Sequence, residues 1–155
     1  MEVAIMEKDA FTVVGVEKEF GYRTAYEDIP QFWREHFEGG GDQHASGMFG
    51  ICFDDRDGSQ SFTYLIAGGY DPGRGIPAEY VMKTFPAATW AVFPCRGALP
   101  QALQDLNTQI WDEWLPNCHD YELAGNYSVE VYSDGDTSSA GYYSEIWIPV
   151  QPAGQ

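Results

Sequence analysis

The sequence predicts an α+β fold: a duplicated strand-helix-strand-strand unit, with two main helices on an antiparallel sheet and a central cleft. Two observations predict it. Each half of the 155-residue chain carries one helix-like stretch among strand-like stretches. Each half also ends in a strand hairpin, over residues 49–69 and 127–150. The repeated order predicts a single domain over residues 1–155, built from pseudo-repeats at about 1–72 and 78–151.

The first helix is predicted by its apolar spacing and its end signals. Asp28 is the predicted N-cap, Pro30 falls in the first turn, and the three glycines at 39–41 end the helix. Apolar side chains recur at every fourth residue, at Ile29, Trp33 and Phe37.

The second helix is predicted to open at Gly97 and Pro100 and to end at Pro116. Its apolar stripe consists of Leu99, Leu103, Leu106, Ile110 and Trp114. Trp111 widens this stripe, and we assign both Trp111 and Trp114 to the core, where large aromatic side chains usually lie.

Seven stretches rich in β-branched and aromatic residues are predicted strands. They cover residues 10–18, 47–54, 61–69, 79–85, 89–95, 127–132 and 142–150. Asp57-Gly58 is typical of a hairpin turn, and residues 21–27 and 70–77 are predicted connections.

The charge composition argues against some classes of binding partner. The formal net charge is −16, from 24 acidic and 8 basic residues, which argues against binding to nucleic acids or anionic membranes. Cationic partners are favoured weakly. The sequence lacks a membrane-spanning stretch and a signal-peptide pattern, so we expect a cytoplasmic protein. We also expect a monomer or weak dimer.

The motifs predict neither a cofactor nor a metal site. Cys52, Cys95 and Cys118 are odd in number and widely spaced, which is typical of buried thiols in a reducing compartment. Cys118-His119 lacks a partner at zinc spacing, and the acidic turn at 54–58 departs from the EF-hand pattern.

The last strand sorts into two different faces. Side chains alternate along a strand, so Ile146 and Ile148 share one face, while Tyr143, Glu145 and Trp147 share the other. A carboxylate between two aromatic rings suits a ligand that is flat, apolar and cationic. The alternative is that Glu145 lies at the rim of the sheet in solvent, because glutamate is rarely buried.

Two helices cannot cover a sheet of about eight strands, because a helix is only ~10–12 Å wide. We therefore expect a groove between the helices, floored by the sheet. Glu145 reaches that groove only if its face is the one under the helices, and Ile146 and Ile148 facing the helices would contradict this placement.

Five segments together resemble the GyrI-like, AraC-type effector-binding domain. They are Phe11-Thr12-Val13-Val14-Gly15, residues 88–93, Ile110-Trp111-Asp112-Glu113-Trp114-Leu115-Pro116, residues 121–132 and Glu145-Ile146-Trp147-Ile148-Pro149-Val150. The resemblance covers almost the whole chain. The short first helix with Trp33 is similar to that of stand-alone, integron-associated effector-binding proteins.

The resemblance implies a cleft between the two halves that binds lipophilic, cationic effectors or drugs. Aromatic side chains and one acid near the end of the last strand hold the ligand, and this acid corresponds to Glu145. Tyr143 and Trp147 follow by alternation, and Trp33 and Trp90 by position, although both could instead be core residues. The family is related to transcription regulation, but without a helix-turn-helix motif we expect no direct binding to nucleic acid.

Two alternatives remain open at this point. Some GyrI-like proteins are hydrolases that open strained, electrophilic rings such as cyclopropanes. In that case Glu145 would be the general acid or base, and Tyr143 would assist it. The chain could instead be a protein-interaction module that presents the groove to a partner.

Overall fold

The computed structural model describes residues 1–39, 48–54, 61–73 and 75–154. The chain divides into two compact units, one formed by Met1–Lys8 with Ala88–Gln155 and the other by Asp9–Ala87. No helix among these residues is long and apolar enough to cross a membrane.

The described residues form nine strands and two main helices. In chain order these elements are β1 (Ala4–Lys8), β2 (Phe11–Gly21), α1 (Ala25–Glu38), β3 (Phe49–Phe53), β4 (Ser61–Gly69), β5 (Val81–Phe85), β6 (Ala88–Arg96), α2 (Gln101–Gln109), β7 (Tyr121–Leu123), β8 (Tyr127–Tyr132) and β9 (Tyr143–Pro152). After α2 the helix continues through a π-helical turn, Ile110–Trp114, and a last α-helical turn, Leu115–Asn117. The predicted α+β class and its repeated strand-helix-strand-strand order are confirmed.

The unit of residues 9–87 is an antiparallel sheet with the strand order β3-β4-β2-β5. Helix α1 packs on one face of it, over a buried cluster that includes Phe20, Phe62, Tyr64 and Ile66. Phe37, predicted as part of the apolar stripe, is instead 58% exposed and stacks on the Trp33 ring.

Helix α1 begins earlier than predicted. Thr24 precedes it, and the Thr24 carbonyl accepts hydrogen bonds from the backbone N–H groups of Glu27 and Asp28. Asp28 is therefore not the N-cap. It lies in the first turn, where its carboxylate accepts a hydrogen bond from the Thr24 hydroxyl and interacts favourably with the positive end of the helix dipole. Pro30 lies inside the helix, and Gly39 follows its last residue as predicted.

The unit of residues 1–8 and 88–155 has the strand order β1-β6-β9-β8, with β7 also paired to β9. Helix α2 and the π-helical turn after it cover one face of this sheet. Trp114 packs edge-on against Phe93 at 5.0 Å, as the core assignment predicts. The same assignment is wrong for Trp111, which is 37% exposed and donates its indole N–H to Asn107 on the outer side of the helix.

Several predicted boundaries differ from the structure. The short strands β1 and β7 were not predicted, and the second helix runs one residue past Pro116. The Asp57-Gly58 turn and the glycines at 40 and 41 lie outside the described residues. The predicted single domain with two pseudo-repeats and a cleft between them stays a prediction.

Candidate binding site

The two faces of β9 have different environments. Ile146 and Ile148 are fully buried in the cluster that helix α2 covers, together with Phe93 and Leu103. Glu145, whose side chain points the other way, therefore lies on the sheet face opposite α2. The expectation that Glu145 lies under the helices is wrong, because the aliphatic residues of the strand supply the apolar surface on which the helix packs.

Strand register defines the other residues of this second face, because directly paired residues of an antiparallel sheet share a face. Trp147 is paired with Val92 on β6 and with Val129 on β8. Glu145 is paired with Pro94 and Val131. On this face of β6, β9 and β8, as the structure describes them, Glu145 is thus the single acidic side chain.

The carboxylate of Glu145 is held by its two neighbours on the same face of the strand. The Tyr143 hydroxyl donates to Oε2 at 2.5 Å, and the Trp147 indole N–H donates to Oε1 at 2.8 Å. Glu145 is half-buried, so its desolvation is partial and two hydrogen bonds offset it. The acid and the two aromatic residues that alternation predicted are thus one hydrogen-bonded group.

Hydrogen bonding to Glu145 raises the pKa of the Tyr143 phenol to about 12, and burial and the charge of the acid act in the same direction. The Arg96 guanidinium opposes the rise. Tyr143 is therefore a proton donor at neutral pH. Because its pKa is raised above the ordinary value near 10, its contribution to stability is complete below pH about 10 and is lost as the pH rises through about 12.

We expect Glu145→Gln to return the pKa of Tyr143 towards 10, since the neutral amide removes both the charge-assisted hydrogen bond and the negative charge. The phenolate absorbance of each protein, titrated against pH and referenced to a variant that also carries Tyr143→Phe, isolates this one phenol among ten tyrosines. An unchanged late titration of Tyr143 in Glu145→Gln would contradict the assigned cause.

Trp90 lies on the same face of β6 but beneath the surface. Its side chain is 0% exposed. The centre of its ring lies 6.1 Å from the ring centre of Trp147 and 5.8 Å from that of Tyr127. Trp90 therefore packs edge-on against the ring of Trp147 on the same side of the sheet. Its predicted contact with a ligand stays a prediction.

Trp33 belongs to the other compact unit. It lies on α1, donates its indole N–H to the Tyr64 hydroxyl at 2.9 Å and packs against the buried cluster under that helix. Four of the five predicted site residues thus share one unit and one sheet face, and the fifth, Trp33, belongs to the other unit.

Sequence analysis missed two basic side chains of the site. The Lys8 ammonium lies 4.1 Å from the centre of the Trp147 ring, and the Arg96 guanidinium lies 4.8 Å from that of Tyr143. Arg96 pairs directly with Tyr143, and Lys8 ends β1, which pairs with β6. Both residues could have been predicted from the pairing register of β1 and β9 with β6, but the sequence does not reveal this register.

The part of the chain that the structure describes has no cluster of side chains that could hold a metal ion. Across residues 1–39, 48–54, 61–73 and 75–154, no three His, Cys, Asp or Glu side chains come close enough together to hold an ion. The chemistry available on this face is therefore that of one carboxylate, several aromatic rings and two flanking cations.

The chain thus combines an α+β fold with one hydrogen-bonded acid among aromatic rings on a partly buried sheet face, an arrangement that suits a small-molecule effector-binding domain. Residues 4–150 match the family of integron-associated effector binding proteins, Cass2. The chain belongs to this family. No curated protein sequence matches it.

Several solved structures are similar to this chain. SAV2435, solved bound to tetraphenylphosphonium, is 28% identical with a TM-score of 0.82, over 97% of this chain and 94% of its own. A putative transcription regulation protein from Staphylococcus aureus MU50 is 27% identical with a TM-score of 0.73, over 97% and 99%. An integron cassette protein from Vibrio cholerae shares the fold at 18% identity and a TM-score of 0.72, over 96% and 95%.

Proposed function

We propose that the protein binds lipophilic cations on the β6-β9-β8 face, with Glu145 as the counter-ion and Tyr143 and Trp147 as the flanking rings. The observation that carries this proposal is the pair of hydrogen bonds that fixes the Glu145 carboxylate between the two rings. A carboxylate that is already oriented needs little reorganisation when a cation approaches.

The surroundings of the carboxylate favour an apolar cation over a hydrophilic one. Trp147, Pro94 and Val131 are half-buried and present apolar surface next to Glu145, and burial of such surface contributes about 25 cal/mol per Å². An aromatic face attracts a cation by about 0.5–1 kcal/mol at an exposed site and by about 2 kcal/mol when water is excluded. The net charge of −16 also attracts cations over longer distances.

The relative SAV2435, which was solved with tetraphenylphosphonium bound, supports the same ligand class for this chain and supplies a probe. Tetraphenylphosphonium is a permanent cation surrounded by four apolar rings. It cannot donate a proton, so its binding isolates the contributions of charge and of apolar area.

We expect tetraphenylphosphonium to quench the tryptophan fluorescence of the wild type saturably, and Glu145→Gln to weaken binding by about 10- to 100-fold. This range follows from removing one charge at about 6 Å from a cation in a medium of intermediate dielectric constant. Calorimetric titration of both proteins gives the two dissociation constants.

Glu130→Gln is the matched control for this experiment. Glu130 lies on the neighbouring strand β8 and accepts a hydrogen bond from the Tyr132 hydroxyl at 2.8 Å, but its partner on β9 is Ile146, so it faces the α2 side. We expect its affinity for tetraphenylphosphonium to match that of the wild type. Equal affinities in Glu145→Gln and the wild type would refute the proposed site.

The hydrolase alternative is separated by product analysis in the same series. A hydrolase would consume a strained cyclopropane electrophile and lose this turnover in Glu145→Gln, whereas a binding protein returns the compound unchanged. The raised pKa of Tyr143 allows this residue to donate a proton but prevents it from acting as a general base near neutral pH.

A further inference from the structure

The ring of Trp147 is shared by two groups of opposite charge. Its N–H donates to Glu145 Oε1 at 2.8 Å, while the Lys8 ammonium lies 4.1 Å from the ring centre. A cation within about 6 Å of an aromatic centroid is in attractive cation–π range. The position that a ligand's cation would take on this ring is thus occupied by a side chain of the protein itself.

The second flanking ring is occupied in the same way. Arg96 lies 4.8 Å from the centre of the Tyr143 ring, so both rings beside Glu145 carry one of the chain's own cations. The chain has only eight Lys and Arg residues among 155, and a net charge of −16. Lys8 and Arg96 are two of these eight basic residues, and both lie on one small sheet face. Because basic side chains are scarce in this chain, their presence together suggests that they have a specific role at this site.

We propose that Lys8 is a specificity-determining residue of this site: its ammonium holds the cation position on Trp147, and a cationic ligand must displace it. The inference rests on the proposed function. A ligand that gains little from apolar contact fails to displace the ammonium, whereas a large lipophilic cation offsets the loss through buried area.

Lys8 is better suited to displacement than Arg96. It ends β1, an edge strand whose other residues are all exposed and whose partner strand is β6. Its ammonium is strongly hydrated and sits on a flexible four-carbon stem, so it can leave the ring and enter water with a small change of the stem. Arg96 ends β6, past the residues that pair with β1, and its planar, weakly hydrated guanidinium lies over the ring of Tyr143, its directly paired residue, so it gains less than an ammonium by moving into water.

The test is the affinity of Lys8→Met for tetraphenylphosphonium. We expect binding to tighten by about 2- to 30-fold, because the variant has no ammonium to displace and methionine keeps the length of the stem. Structural damage would weaken binding, so the direction of the change identifies the mechanism. Lys8→Arg, which retains a cation at this position, is expected to bind no more tightly than the wild type.

Lys83→Met is the matched control. Lys83 is also a half-buried strand lysine above an aromatic ring, with its ammonium 5.5 Å from the centre of Phe53, but it belongs to the other unit. We expect its affinity to be unchanged. As a second readout, saturating tetraphenylphosphonium should increase the rate at which an amine-acylating reagent modifies Lys8, measured by mass spectrometry, with Lys83 as the internal reference.

The outcomes separate the two proposals. If Glu145→Gln weakens binding but Lys8→Met binds like the wild type or more weakly, the role of Lys8 is overturned and the binding function stands. If the wild type does not bind but Lys8→Met does, the blocking role of Lys8 is established and the wild type is not a receptor for this cation. If neither binds, the proposed function is refuted and the role of Lys8 falls with it.

Discussion

Gly15→Ala is expected to lower the free energy of unfolding by more than about 4 kcal/mol or to prevent folding altogether. A β-carbon at this position would overlap the carbonyl oxygen of Ile66 and lie 2.7 Å from the α-carbon of Ala67. Both atoms belong to the backbone of β4, so no rotation of a side chain relieves the clash. Gly15 lies between β4 and β5 in the sheet, and any shift of β2 would break pairing on both sides.

Gly69→Ala provides the control in the same strand pair. Gly69 lies opposite Val13, and a β-carbon there meets no atom within 4 Å. We expect its free energy of unfolding, measured by urea denaturation, to lie within about 0.5 kcal/mol of the wild type. If Gly15→Ala unfolds at the urea concentration of Gly69→Ala, the close approach of β2 and β4 at Gly15 is refuted.

Trp90→Ala is expected to destabilise the protein by about 3–5 kcal/mol, which is the usual cost of removing a large buried aromatic side chain. Trp90 is 0% exposed and contacts the rings of both Trp147 and Tyr127, so its removal leaves a cavity beside Trp147 on the proposed binding face. We also expect weaker binding of tetraphenylphosphonium, because Trp147 loses the surface that fixes its ring. Urea denaturation and calorimetric titration measure the two effects.

Trp111→Ala separates this effect from the general loss of a tryptophan. Trp111 is 37% exposed, and its N–H bonds to Asn107 within the same helix. We expect a loss of no more than about 1 kcal/mol and unchanged ligand affinity. Similar losses of stability for the two variants would contradict the supporting role of Trp90.

The sequence predicts which side chains of β9 lie together, because one strand is enough to define this grouping. Alternation along β9 groups Tyr143, Glu145 and Trp147, and these three residues form one hydrogen-bonded group. This succeeds because residues two apart on a strand always share a face, whatever the tertiary structure.

The sequence could not predict which face of β9 the helix covers. Both faces of β9 carry large apolar side chains, such as Ile146 on one face and Trp147 on the other. The face that the helix covers is determined by packing with residues distant in sequence, such as Phe93 and Leu103. For the same reason the cations on the rings were missed: Lys8 and Arg96 reach the site through strand register, which depends on tertiary structure.

Local signals also failed at short elements. The strands β1 and β7 contain five and three residues, too few for a periodic pattern to stand out, and their pairing to longer strands supplies the hydrogen bonds that define them. Asp28 illustrates another limit, because an acid in the first turn of a helix and an acid at its N-cap have the same sequence signal.

The alternation of β9 has a consequence for how proteins of this kind can diverge. Ile146 and Ile148 hold the strand to the helix side, while Tyr143, Glu145 and Trp147 face away from that packing. Substitutions at the second set change ring size, charge and hydrogen bonding without opening the helix-side core. The residues of β9 that maintain the fold are thus different from those that would contact a ligand. A library restricted to Tyr143, Glu145 and Trp147 can therefore change ligand specificity while the fold stays intact.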